Sequence, residues 1–277
     1  MTLVVTTATS RGITVVGDRA EREHLGELGI VRPIRTKVFY SESANVSFAI
    51  WGDSTWPLRL GDYSGWFLEK VVRAIPEGAS LAEIGQVVCD RVNPILVEDF
   101  GGNFKKHRRG VHVAGYVDGL PHIYHCHMGH DGEAERELSC YHDYPGESDL
   151  DRYRQRLTEG PPAQLRNGRP DLYGGINQSI DALIKAARER GIRIPAPTID
   201  AQLAFDSAIV RFASGLMEAA GYAPTVSLEV DVLAFNTKGP CKLQDPNEVL
   251  GRTMPALFMS PLHRHSGDAT LPSTYTP

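Results

Sequence analysis

Apolar and polar positions alternate with a period of two over the first fifth of the chain. Residues 3–8 and 13–17 are β-branched runs separated by Thr9-Ser10-Arg11-Gly12, a short polar connection ending in glycine, and they predict a hairpin. A second pair, residues 37–40 and 46–51, is joined by Ser41-Glu42-Ser43-Ala44-Asn45. The period then lengthens to that of a helix. Trp66, Phe67, Val71, Val72 and Ile75 mark one helix before Pro76 and Gly78 stop it, and Leu81, Ile84, Val87, Val88, Val92 and Ile95 mark the apolar face of the next. Ser80 with Glu83 three residues on is a capping box, able to satisfy two amides at that helix start.

Strand periodicity returns over residues 111–116, turns through Asp118-Gly119 and comes back over 123–128, predicting another antiparallel hairpin. A further short strand is expected over 138–141. Residues 144–171 are polar and rich in Arg, Gly and Pro, which reads as an insertion with at most one short helix. Two helices are predicted next, over 177–190 with Gly191 and Pro195 stopping it, and over 199–220 with Thr198 as N-cap and Gly221 at its end. Residues 227–235 predict a last strand, and Thr237-Lys238-Gly239-Pro240 turns away from it. Runs of strands between runs of helices argue for an α+β fold with antiparallel layers rather than a parallel βαβ sheet. Two sheets with helices on both outer faces fit that order. The reading is one domain over 1–240, with the polar insertion at 144–171, and a proline-punctuated extension over 241–277.

Composition narrows the function classes. Lys and Arg number 29 against 34 Asp and Glu, a net charge of −5, which predicts neither a nucleic-acid footprint nor a nucleic-acid partner. No apolar stretch approaches the roughly 20 residues needed to span a bilayer, so no membrane is expected either. The first seven residues lack the basic and long apolar regions of a secretory signal, making the cytoplasm the expected address. Four cysteines, Cys89, Cys126, Cys140 and Cys241, show no CxxC spacing and read as mostly buried thiols. The basic run Lys105-Lys106-His107-Arg108-Arg109 reads as a solvated loop before a strand.

Thr2 stands directly behind Met1, and its small side chain makes Met1 removable. Removal would expose a residue that holds nucleophile and base in one amino acid: the hydroxyl attacks a carbonyl while the α-amine, with an ordinary pKa of about 7.7–8.0, takes its proton. Around it stand Thr2-Leu3-Val4-Val5, the hairpin ending in Val15-Val16-Gly17-Asp18-Arg19, the Lys37-Val38 pair opening a strand, and Ala49-Ile50-Trp51-Gly52. Together they resemble proteasome β-subunits and their bacterial proteasome-like, HslV-type, peptidase relatives, down to the spacing from Thr2 to Asp18. Val113-Ala114-Gly115-Tyr116 with Asp118-Gly119 looks like that family's central hairpin, and Glu229-Val230-Asp231-Val232 like its final strand, so the resemblance covers about residues 2–240.

The resemblance implies an N-terminal nucleophile hydrolase: a four-layer αββα sandwich that cleaves amide bonds of peptide or protein substrates, needs no cofactor and assembles into a homo-oligomeric ring, on which an ATP-dependent unfoldase docks. Carried over residue by residue, Thr2 is the nucleophile, Asp18 and Lys37 form a charged pair beside it, and Gly52 offers its backbone N–H to the oxyanion. The supporting positions depart from the family's pattern. Tyr173 precedes Gly174-Gly175 where a serine is usual, and Ala223 and Val226 stand where an aspartate and a serine help hold the terminal amine. Those departures make a catalytically silent structural or binding subunit the alternative. A second alternative is a metal-dependent enzyme built on the histidines from His122 to His130, in which His125 and His127 face one side of a strand and share a metal ion.

Overall fold

Thr9 and Gly12 face each other across a two-residue connection and close the first hairpin, β1 (Val4–Thr9) with β2 (Gly12–Asp18). The computed structural model describes residues 3–19, 23–24, 30–31, 36–52, 63–100, 109–128, 137–145, 150–159, 162–167, 170–191, 198–219 and 230–241. Two short strands, β3 (Glu23–His24) and β4 (Ile30–Val31), pair with each other. The second hairpin is β5 (Val38–Ser41) with β6 (Val46–Gly52). Helix α1 (Tyr63–Lys70) is shorter than its apolar spacing predicts, because the chain tightens into a 3-10 turn at Val72–Ala74 ahead of Pro76. Helix α2 (Leu81–Phe100) opens on the capping box: the Ser80 amide donates to Glu83 Oε2 (2.7 Å) and the Glu83 amide to Ser80 Oγ (3.3 Å).

The central hairpin is β7 (Arg109–Val117) with β8 (Leu120–His127), turning through Asp118 and Gly119 at φ 50° and 74°. Both angles are positive, as a two-residue turn between twisted strands demands. There follow β9 (Ser139–Tyr144), α3 (Leu150–Glu159), β10 (Ala163–Asn167), α4 (Pro170–Glu189), α5 (Ile199–Ala219), β11 (Val230–Asn236) and β12 (Gly239–Pro240). Thr198 caps α5, its Oγ1 accepting from the Ala201 amide at 3.1 Å. Gly221, Pro195 and residues 242–277 of the extension lie outside the described residues. Among the described residues no helix is long and apolar enough to cross a membrane.

Among the described residues the strands form two five-stranded antiparallel sheets, ordered β10-β1-β2-β11-β12 and β5-β6-β7-β8-β9. Alternation sends successive side chains to opposite faces. Val4, Ala8, Ile13, Val15, Ala49, Trp51, Ala114 and Ile123 meet between the sheets. Leu3, Val5 and Val16 pack outward on Ile180 and Ile184 of α4 and Leu203 and Val210 of α5. Val46, Phe48 and Ile50 pack outward on Phe67 of α1 and Ile84, Val88 and Val92 of α2. The result is the expected α+β sandwich of four layers, αββα.

The polar stretch 144–171 does more than decorate the surface. Tyr153 and Leu157 of α3 are buried between the sheets, and β10 is an edge strand of the first sheet, pairing with β1 from Val4↔Asn167 to Ala8↔Ala163. Its sequence, Ala163-Gln164-Leu165-Arg166-Asn167, carries too little apolar alternation to announce a strand, since its backbone pairing is supplied by β1. Helix α4 likewise starts at Pro170 rather than 177, proline being well suited to the first turn.

Asp206 of α5 is fully buried where α5 crosses the first sheet. It accepts from Thr14 Oγ1 (2.6 Å), Gln164 Nε2 (2.9 Å) and Gln202 Nε2 (3.0 Å). Burial pushes its carboxyl from 3.8 up to about 6, against the pull of those hydrogen bonds. Because the folded-state value lies above the unfolded one, protonation favours the fold. The contribution is complete below pH 3.8 and is lost as pH rises through about 6. Its span is about 3 kcal/mol at roughly 1.4 kcal/mol per pH unit. Subtracting the denaturant-unfolding profile of Asp206→Asn from that of the wild type, between pH 4 and 7.5, is expected to isolate this loss. A flat difference would refute it.

Candidate active site

The two sheets are joined at one end by charge. Asp18, the last residue of β2, is fully buried, and Lys37, just before β5 in the other sheet, is nearly so. Asp18 Oδ1 accepts from the Leu3 amide at 2.6 Å and Oδ2 from Lys37 Nζ at 3.2 Å. The Asp18 amide returns a bond to the Leu3 carbonyl at 3.0 Å. Burial raises the Asp18 carboxyl above the ordinary 3.8, while the Lys37 ammonium and the Leu3 amide pull it down. A buried carboxylate tolerates desolvation only when it is paired and hydrogen-bonded in this way.

Asp231 of β11 is the neighbour that the sequence did not single out. Its Oδ2 accepts from the Lys37 amide at 2.7 Å and its Oδ1 pairs with Arg19 Nε at 3.2 Å. Burial raises its carboxyl, opposed chiefly by the Lys37 amide and the Arg19 charge. Asp18 therefore grips the Lys37 side chain and Asp231 its backbone. The available signal was an aspartate that shares strand parity with the core residues Leu233 and Phe235. A charge on an apolar face at a strand end needs a partner.

Gly52 ends β6 opposite Arg109, at φ 125°, a conformation that residues with a Cβ rarely adopt. The structure thus brings Asp18 and Lys37 into contact and gives Gly52 a backbone that only glycine takes easily. Thr2, Ala223 and Val226 lie outside the described residues, as does the side chain of Tyr173, whose backbone is in α4.

The histidines occupy different ground, between the sheets. His112 is buried between Thr6 Oγ1, 2.9 Å from Nδ1, and Asn167 Oδ1, 2.8 Å from Nε2. The asparagine oxygen accepts, so Nε2 carries the proton and Nδ1 accepts from the threonine. Burial and the adjacent His125 hold its pKa well below 6.5. His125 and His127 do share one face, with ring centroids 4.2 Å apart. Trp51 Nε1 donates to His125 Nε2 at 2.9 Å, leaving Nδ1 as the nitrogen facing Asp143 Oδ2 at 3.5 Å. His127 Nδ1 donates to the Met128 carbonyl at 2.6 Å. Among the described residues no group of three or more His, Cys, Asp or Glu is arranged to hold a metal ion. His122 stacks on His142, away from this pair, and His130 lies outside the described residues. The described rings make packing and hydrogen-bonding contacts.

A cleft of about 650 Å³ opens between β10 and α4, lined by Gln164, Arg166, Asp181, Lys185 and Arg188 among others. It shares no residue with the Asp18–Lys37 pair, and cleft size is a poorer guide to chemistry here than the buried charges.

The sequence matches no protein-family model. No curated protein matches it either. The fold is similar to that of Anbu (ancestral beta-subunit) from Yersinia bercovieri, with a TM-score of 0.52 and 11% identity over 90% of each chain. It is also similar to an Anbu Gly-1 mutant from Hyphomicrobium sp. strain MC1, with a TM-score of 0.50 and 11% identity over 91% of this chain and 93% of that one. At such identity the likeness is one of fold, and the fold is proteasome-like. The resemblance to proteasome β-subunits and HslV-type peptidases read from the sequence is corrected by these matches, which are Anbu proteins, a distinct proteasome-like family. The motifs that suggested it, such as Val15-Val16-Gly17-Asp18 and Val113-Ala114-Gly115-Tyr116, are segments of β2 and β7, and strand chemistry does not separate one family on a fold from another.

Proposed function

We propose that this chain is a threonine-type N-terminal nucleophile hydrolase that cleaves peptide bonds through an acyl-enzyme on Thr2 once Met1 is removed. The Thr2 hydroxyl attacks the substrate carbonyl as its proton passes to the Thr2 α-amine. The Gly52 N–H stabilises the oxyanion, and the protonated amine then delivers its proton to the leaving amine. Water repeats the sequence on the ester and releases the product. Lys37 supplies positive potential that favours the developing alkoxide and disfavours premature protonation of the α-amine.

One observation carries the reading. The buried Asp18 carboxylate holds the Leu3 amide with one oxygen and the Lys37 ammonium with the other, so a charged lysine stands one carboxylate away from the residue that follows Thr2. Nothing in an ordinary sandwich core requires that pair, and a buried ion pair is weak as a stabilising device. The substrate is a peptide or protein, and the same reading expects the chain to work as an oligomer of identical subunits.

The test is the intact mass of the natively produced protein before and after an electrophile that acylates N-terminal threonines. Loss of Met1 and a single adduct, absent in Thr2→Ala, is the expected result. Retained Met1 with no adduct would replace the proposal with a silent structural subunit, the reading that the departures at Tyr173, Ala223 and Val226 favour.

A further inference from the structure

We propose that Cys126 and Cys140 form a peroxide-sensitive dithiol, a modification site at which a hydroperoxide converts two thiols into one cross-strand disulfide. The two residues are register partners on adjacent antiparallel strands, Cys126 in β8 and Cys140 in β9. Directly opposed residues have Cα atoms about 4.5–5.5 Å apart, inside the roughly 4.4–6.8 Å window of a disulfide. Cys126 is buried and Cys140 partly exposed, and neither is bonded to another cysteine. Both sulfurs face Gly85 of helix α2, and the Cys126 thiol donates to the Gly85 carbonyl at 3.4 Å.

Helix α2 is shaped around this pair. Gly85, Cys89 and Asn93 recur every four residues and so lie along one face. A Cβ at Gly85 would overlap Cys140 Sγ and lie 3.8 Å from Cys126 Sγ, so the glycine makes the notch in which both sulfurs sit. Cys89, one turn further along α2, is buried in the same cluster as Cys126. Asn93 locks the register by donating to the Leu138 carbonyl (3.0 Å) and accepting from the Leu138 amide (2.7 Å), as a neighbouring strand would. The strand register therefore brings both sulfurs to one notch beside α2.

The geometry assigns the order of events. Cys140 is partly exposed, and the neighbouring Cys126 thiol holds its own below the ordinary range. The neighbouring Cys140 and Cys89 thiols, with burial, push the Cys126 thiol well above it. The Cys140 thiolate attacks one peroxide oxygen, the O–O bond breaks and hydroxide leaves, giving a sulfenic acid. The Cys126 sulfur then attacks the Cys140 sulfur, the S–O bond breaks, and the hydroxyl leaves as water with the Cys126 proton. Two thiols lose two electrons, and hydrogen peroxide becomes two waters once hydroxide takes the proton that Cys140 had released.

The experiment treats the full chain with hydrogen peroxide, quenches it, alkylates the denatured protein with N-ethylmaleimide and maps the peptides by mass spectrometry. Alkylation of Cys126 and Cys140 is expected to disappear together, a cross-linked peptide containing both to appear, and dithiothreitol to restore both. Cys140→Ser is expected to leave Cys126 fully alkylated at the same dose. Cys126→Ser is expected to stop Cys140 at a sulfenic acid that dimedone traps. A Cys89–Cys126 cross-link, oxidation of Cys140 with Cys126 still alkylated, or unchanged alkylation of both would overturn the assignment. The wild-type peptide map decides by itself where a variant fails to fold.

Discussion

Lys37→Ala is expected to lower kcat for peptide hydrolysis by at least about 10²–10³-fold with little change in KM, the scale on which loss of one preorganised electrostatic group is felt. The ammonium acts at close range because Asp18 holds it, Asp231 holds the backbone amide of the same residue, and little water reaches it. Its contribution belongs to the transition state, where the hydroxyl loses its proton, so substrate binding is nearly unaffected. Lys37→Arg keeps the charge but changes its shape and reach, and is expected to recover only part of the loss. Thr2→Ala sets the floor, with no turnover and an unchanged fold. Steady-state kinetics on a fluorogenic peptide, with electrophile labelling as a second readout, make the comparison. A kcat within threefold of wild type in Lys37→Ala would remove the lysine from the mechanism.

Asp18→Ala is expected to cost about 3–5 kcal/mol of stability in denaturant unfolding, the range for breaking a buried ion pair from one side. It leaves the Lys37 ammonium without its 3.2 Å partner and the Leu3 amide without its acceptor. Lys37→Ala is expected to cost less, because the Asp18 carboxyl, already raised by burial, can take a proton once the lysine is gone. That difference fixes a pH dependence. Without Lys37 the carboxyl is raised further, so the variant is closest to wild type in acid and falls behind as pH rises. The double variant is expected to cost less than the two singles combined, since it leaves neither charge stranded. Additive costs, or a Lys37→Ala penalty that does not change with pH, would contradict this account of the pair.

How much of this was legible in the sequence differs from element to element. The hairpins β1–β2, β5–β6 and β7–β8 are visible as strand runs, and Asp118-Gly119 and Ser80 with Glu83 state a turn and a helix start outright, because those signals act over three or four residues. Asp18 and Lys37 were both picked out, as a charged pair that the resemblance implied and that no spacing along the chain states. That one carboxylate holds both the Leu3 amide and the lysine is a contact between two sheets.

The remainder depends on partners distant in the chain. β10 is a strand because β1 offers its edge, and nothing in Ala163-Gln164-Leu165-Arg166-Asn167 states that on its own. Asp231 matters because β11 lies beside β2, which brings it to the Lys37 amide 194 positions away. Cys126 and Cys140 show no motif spacing, and they meet because β9 returns along β8 in a register that Asn93 of α2 holds. Periodicity, caps and turns by themselves determined an antiparallel α+β chain with helices outside its sheets, since local sterics and solvent exposure act on neighbouring residues. Which charges, thiols and strand edges came together was decided only by the tertiary structure, since packing two sheets face to face sets distances that no spacing along the chain encodes.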